Sequence, residues 1–260
     1  MVAPGRAGTA CQPGVAQAGS ADGNTLPRMP AALLSIGLVA WSVVANLGLG
    51  ERWYTTRNLA LIALLLLLAR GLAVSWDELG LDPADLREGL RWGRLAVLVV
   101  ALAVTAGAAL RGVVPPLQLL LDDARSDLPL AELVHAVLVR IPLGTALFEE
   151  LAFRGLLLAA LLRLMSPRWA ILWSSAAFGL WHVAPTIQTL RINEVAPESL
   201  AGLGAIAGAV VVTTVGGAVF AWLRVASGSL LAPVLAHWAT NAFGLLAAAV
   251  TRATGSSGAL

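Results

Sequence analysis

Glu149 and Glu150 are adjacent carboxylates inside the apolar run Leu147-Phe-Glu-Glu-Leu-Ala-Phe-Arg-Gly155. Ionisable groups in a run able to cross a bilayer cost about 2.5–3.5 kcal/mol each, so they are kept where they have partners and a task. Glu150 and Arg154 are four residues apart, face each other on a helix and neutralise one another. Glu149 sits ~100° round the same helix and has no local partner. Three polar residues elsewhere in the apolar chain are candidates to work with it. His182 ends Phe178-Gly-Leu-Trp-His182, and His237-Trp-Ala-Thr-Asn241 puts His237 and Asn241 on one helix face.

A carboxylate and an imidazole can together hold and deprotonate a water, the general-base role. A second histidine with an asparagine, His237 with Asn241, can donate hydrogen bonds to a developing oxyanion. That set outlines an amide-bond hydrolysis, and no serine or cysteine stands in an activated setting. Glu149, His182 and His237 are also a possible zinc set with one position open for water. The local zinc signature His-Glu-x-x-His is absent. The cofactor therefore stays open between none and zinc. A lone intramembrane His or Asn is as readily a helix–helix hydrogen bond worth about 0.6–2 kcal/mol. Three of them converging beside an unpaired carboxylate point to chemistry.

The elements that must position these residues are written in the composition. The 260 residues are 58% hydrophobic and 12% charged, and mean hydropathy is +0.81. Soluble domains carry about 25% charge, so an all-α, polytopic membrane bundle is expected. All 17 basic residues are Arg and the net charge is only +2, which gives no reason to expect nucleic acid. The lone Cys11 excludes an internal disulfide and a cysteine metal site, and no apolar run precedes it to make it a lipid anchor.

In chain order, residues 1–29 read as a disordered tail, too poor in large apolar side chains to order. Residues 30–250 read as one transmembrane helical domain and 251–260 as a short tail. Apolar runs begin at Ala31 and Asn58. Arg70, near the end of the second, reads as snorkelling to the interface. Asp82-Pro83 is a helix start, and 82–94 reads as a short helix lying in the membrane surface. A third span covers 95–109 and stops at Pro115-Pro116. Asp122, Asp123, Arg125 and Asp127 read as a solvated loop. Pro142 is expected to kink or break the long stretch 130–164 into an approach helix and a helix bearing the two glutamates. On the approach helix, Glu132 and His135 are spaced to pair locally. Ser166-Pro167 turns the chain, 169–183 spans again, and 185–199 is a polar loop. Spans at 200–223 and 229–250 complete seven, or eight if 130–141 crosses or re-enters.

Depth brings the polar residues together. Glu149 lies before the turn at 164–168 and His182 after it, and ~1.5 Å per residue puts both about 21–23 Å from one membrane face. The turn at 224–228 belongs to that same face, which places His237 and Asn241 about 13–20 Å deep.

Glu149-Glu-Leu-Ala-Phe-Arg154, Phe178-Gly-Leu-Trp-His182 and His237-Trp-Ala-Thr-Asn241 resemble, in order and spacing, the three motifs of the CPBP family. This is the family of CAAX prenyl proteases and bacteriocin-processing proteins, and the resemblance covers about 130–245. It implies an intramembrane endopeptidase with a cavity in the bilayer. Glu149 and His182 would then activate the water, His237 and Asn241 would stabilise the oxyanion, and Glu150 and Arg154 would support the site. Members are described both as metalloproteases and as glutamic proteases. The Arg-only, Ala-rich composition looks like a high-GC bacterium, so the expected setting is a bacterial plasma membrane. The expected partners are the lipid bilayer and a membrane-associated protein or peptide substrate. A non-catalytic scaffold or bacteriocin-immunity protein of the same fold is the alternative. A proton-coupled transporter is a third reading, and it should show an internal repeat, which the sequence lacks. Eight arginines against six weigh slightly for an N-terminus inside.

Overall fold

The computed structural model describes residues 28–49, 53–114, 121 and 124–256. Among them, every regular element is helical. Helix α1 is Arg28–Val43, extended by a π-helical turn, Val44–Gly48. Helices α2 (Tyr54–Gly71) and α3 (Leu86–Leu110) follow, joined by a one-turn helix at Trp76–Leu79 and a 3-10 turn at Pro83–Asp85. Helix α4 runs Leu130–Leu162. Helices α5 (Pro167–Trp181), α6 (Val183–Ile192), α7 (Leu200–Ser227) and α8 (Leu231–Ser256) complete the bundle. The expected tail up to residue 27, Cys11, Pro115-Pro116, Asp122, Asp123 and the last four residues lie outside the described residues.

Five segments are long and apolar enough to cross a bilayer: Ala31–Gly48, Pro83–Leu110, Leu130–Leu162, Leu200–Ser227 and Leu231–Thr254. Two of the seven expected spans fall short of that standard. Helix α2 opens on Thr55-Thr56-Arg57-Asn58, and α5 has 15 residues. The large side chains of α3 and α7 that face outward, among them Leu98, Leu102, Val211 and Val215, are exposed as lipid-facing residues must be. The core is built instead around α4, whose Phe148, Leu151, Phe153, Leu156, Leu157 and Leu158 are all buried.

Four expectations change. Residues 86–94 do not form a separate surface helix but are the first turns of α3. Leu86 and Leu90 face outward, while Gly89 and Gly93 are buried. An added Cβ at Gly89 would meet Ser229, and one at Gly93 would meet Leu235, so glycines let α3 approach α8. Pro142 does not break α4. The helix widens there into a π-helical stretch, Ala136–Ala146, and a second such stretch covers Leu151–Leu157. A wider turn absorbs the missing N–H of proline without ending the helix. The first part of the expected loop 185–199 is helical, as α6. Glu132 and His135 are both exposed and share no hydrogen bond.

Three turns are bolted together at one face. Ser75 caps the Trp76–Leu79 helix with a reciprocal pair of bonds to Glu78. Arg163, after α4, grips both carboxylate oxygens of Glu78 at 2.5 and 2.6 Å and also donates to the Ala73 carbonyl at 2.8 Å. Arg224, near the end of α7, donates to the carbonyls of Asp77 and Glu78 at 2.9 and 3.0 Å. The Leu230 N–H, at the start of α8, donates to the Gly80 carbonyl at 2.8 Å. The turns after α2, α4 and α7 therefore share one face, as the depth arithmetic requires.

Two tests follow from these bolts. The Arg163 hydrogen bond is the main cause holding the Glu78 carboxyl below its ordinary value of 4.5, and the same bond raises Arg163. A depressed carboxyl stabilises the fold above its unfolded value and loses that contribution as pH falls through its folded value. Glu78→Gln should cost about 1–2 kcal/mol at pH 7. Thermal unfolding in detergent should show the gap to wild type closing as pH drops below the ordinary glutamate range. Gly80 has φ 75°, and a Cβ there would fall on the Arg224 guanidinium. Gly80→Ala should lower Tm, whereas Gly37→Ala, with open space around it, should leave Tm equal or higher.

Candidate active site

Arg154 is the centre of a buried polar cluster. Its side chain and that of Glu150 are 0% exposed, and Nη1 donates to Glu150 Oε1 at 3.0 Å. Its guanidinium lies 4.0 Å from the centre of the Phe178 ring and 5.3 Å from that of Phe220. Nε and Nη2 have no hydrogen-bond acceptor, so the ring faces supply the negative potential these N–H groups need. Gly217 on α7 leaves the room: an added Cβ would stand 3.0 Å from Nη2 and 3.1 Å from Phe178.

The second partner of Glu150 comes from α8. His237 Nδ1 lies 2.7 Å from Glu150 Oε1. A carboxylate only accepts, so Nδ1 carries the proton. The ring is stacked on Phe220 at 5.2 Å with planes 22° apart, and Phe178 meets it edge-on at 5.9 Å. These contacts fix the ring and leave Nε2 directed at Glu149, 3.9 Å from Oε2.

Glu149 is 6% exposed, and its Oε2 has no hydrogen-bond partner. It lines a cavity of about 720 Å³ together with His182 and Asn241. His182 sits where α5 gives way to α6, and its Nδ1 lies 2.8 Å from the Phe178 carbonyl. That oxygen too can only accept, so Nδ1 is the N–H and Nε2 keeps a lone pair. Ser42 of α1 donates to the neighbouring Trp181 carbonyl at 2.6 Å and holds this helix end. The other walls come from the ends of α1, α2 and α3, the first half of α4, and α6. The cavity thus occupies the half of the bundle away from the three bolted turns.

The sequence-derived set is therefore brought together in two layers. Glu149, His182 and Asn241 meet at the cavity wall. His237, 4% exposed, stands behind Glu149 and bridges it to the Glu150–Arg154 pair. The proposed zinc set fares differently: among the described residues, no three His, Cys, Asp or Glu side chains are grouped to hold a metal ion. Glu149, His182 and His237 do not fit that role as placed, and no step below runs through a metal.

Sequence reasoning missed Gly217 and Phe220, which hold Arg154, because neither differs from its Gly/Ala-rich or aromatic neighbours. It also missed Asn58. This residue is buried, and its Nδ2 donates to the Gly144 carbonyl at 2.6 Å. An amide at the head of an apolar run was the available signal. Tyr54 was likewise overlooked; its hydroxyl lies 3.0 Å from Thr145 Oγ1, and its ring lies 4.7 Å under the Arg140 guanidinium.

No curated protein and no solved structure matches the chain. Residues 131–243 match the family model described as type II CAAX prenyl endopeptidase Rce1-like. That stretch contains Glu149, Glu150, Arg154, His182, His237 and Asn241, and over it the chain is similar to the Rce1-like proteins of the CPBP family.

Proposed function

We propose that the chain is a multi-pass intramembrane endopeptidase that hydrolyses a peptide bond of a membrane-associated protein or peptide with a water activated by Glu149 and His182. The observation that carries this reading is the unpartnered Glu149 Oε2, buried at the wall of a cavity that also receives His182 and Asn241. The family match supports peptide hydrolysis as the reaction class. The reading takes α2 and α5 as crossing too, which makes seven spans, and places the chain in a bacterial plasma membrane.

The steps use this chain's own groups. Glu149 takes a proton from the water while His182 Nε2 accepts its second hydrogen and fixes its direction. The hydroxide oxygen bonds to the carbonyl carbon, and the former carbonyl oxygen becomes the oxyanion. The Asn241 amide at the cavity wall supplies a donor to it, while His237, whose Nδ1 proton is committed to Glu150, stands behind Glu149. The intermediate collapses with cleavage of the C–N bond, and the proton held by Glu149 passes to the leaving amine. Glu150 and Arg154 do not touch the substrate; they hold His237 and neutralise each other.

The two adjacent glutamates should therefore fail differently. Purified protein in detergent is assayed against a fluorogenic prenylated CAAX peptide and a single-span model peptide. Glu149→Gln should lower cleavage by about 10²–10⁴-fold and leave Tm within a few degrees of wild type. Glu150→Gln leaves a buried guanidinium without its counter-charge and should cost about 3–5 kcal/mol of stability. Cleavage by Glu149→Gln at the wild-type rate would remove Glu149 from the chemistry and favour a non-catalytic scaffold of the same fold.

A further inference from the structure

The π-helical stretch that precedes Glu149 releases backbone carbonyls, and side chains from other helices take them. In the i→i−5 bonding of Ala136–Ala146, residue 142 would serve the carbonyl of Val137. Pro142 has no N–H to give. Trp238 Nε1, on α8, donates to the Val137 carbonyl at 2.9 Å instead. At the far end of the stretch, the Leu147 N–H still reaches back five residues to the Pro142 carbonyl, and the α pattern resumes after it. A switch from i→i−5 to i→i−4 leaves one carbonyl in that turn out of the series. Asn58 Nδ2 donates to Gly144, in that turn.

Trp238 is the neighbour of His237 and precedes Asn241 on the same helix. It does not line the cavity, and its ring packs edge-on against Phe243 at 5.7 Å. A half-buried indole N–H needs a partner, and here it finds the carbonyl that proline has orphaned. One hydrogen bond thus joins the helix that carries the glutamates to the helix that carries His237 and Asn241.

We propose that Trp238 is a positioning residue for Glu149: its bond to the Val137 carbonyl sets the register of the wide turns of α4 against α8, and so the aim of Glu149 into the cavity. This rests on the endopeptidase reading above. Wide helical turns recur at functional sites, and a displacement of about 1 Å at a reacting group can cost about a hundredfold in rate.

The test is a double-mutant cycle of Trp238→Phe and Pro142→Ala, read by cleavage of the prenylated CAAX peptide and by amide hydrogen exchange over 137–149 in detergent. Trp238→Phe keeps an aromatic ring, smaller than the indole, and removes the donor. It should lower kcat by roughly ten- to a hundredfold, leave KM within about twofold and speed exchange in the segment. The smaller phenyl ring is common to both backgrounds, and Pro142→Ala gives residue 142 an N–H that α4 can use internally, so Trp238→Phe should cost clearly less in that background. Equal losses in both backgrounds, or unchanged kcat and exchange in Trp238→Phe, overturn the proposal. Glu149→Gln run in parallel separates the two readings. Wild-type cleavage by Glu149→Gln sinks the endopeptidase reading and this one with it. Loss of cleavage there, with no effect of Trp238→Phe, sinks this one alone.

Discussion

A guanidinium with no water around it is the constraint on which the rest of this structure depends. Arg154 is fully buried, and a bare cation in such a place is untenable. Everything close to it answers that cost. Glu150 supplies the opposite charge, Phe178 and Phe220 supply ring faces, and Gly217 supplies space. Once Glu150 is committed to Arg154 it also accepts from His237 Nδ1, so the same ion pair fixes the ring of a histidine from a distant helix. The site is organised from behind: the charge pair sets His237, and His237 faces Glu149.

Two glutamates one residue apart thus have opposite situations. Glu150 is enclosed and saturated on one oxygen by a cation and an imidazole. Each keeps its Oε2 without a hydrogen-bond partner, but Glu149 alone of the two borders the cavity. Backbone rotation of ~100° between neighbours accounts for the difference. Phe178 serves both sides of this arrangement. Its ring lies over Arg154, and its carbonyl fixes the tautomer of His182. The spacing of four between Phe178 and His182 is what lets one residue do both, because it matches the i→i−4 reach of a helix.

Much of this was legible because membrane insertion makes polar residues conspicuous. Glu149, Glu150, Arg154, His182, His237 and Asn241 stand out against apolar neighbours, and helix rise alone put Glu149 and His182 at matching depth. The pairing of Glu150 with Arg154 followed from spacing of four, and the shared face of three turns from counting spans. What stayed hidden depends on packing. Gly217 is one small residue among many on α7, and only the position of Arg154 gives it a task. Pro142 was read as a kink or a break because propensity speaks against proline in a helix interior. The wide-turn alternative depends on donors from Trp238 and Asn58, which lie far away in sequence. The surface helix at 82–94 was misplaced for a related reason: its outward leucines resemble an interfacial face, but the buried contact is made by glycines.

The bolted turns have a mechanical corollary. Helices joined at one end and parted by a cavity at the other change their separation by angle rather than by sliding. Glu149 lies ~20 Å along α4 from its Leu162 end at ~1.5 Å per residue. At that radius a tilt of one degree moves the carboxylate by about 0.3 Å, and three degrees by about 1 Å. Glu78, Arg163 and Arg224 touch no part of the cavity wall, yet the stiffness of their bonds sets the angular tolerance within which Glu149 and His182 stay in register. The separation of side chains at the cavity is thereby governed from the opposite end of the bundle.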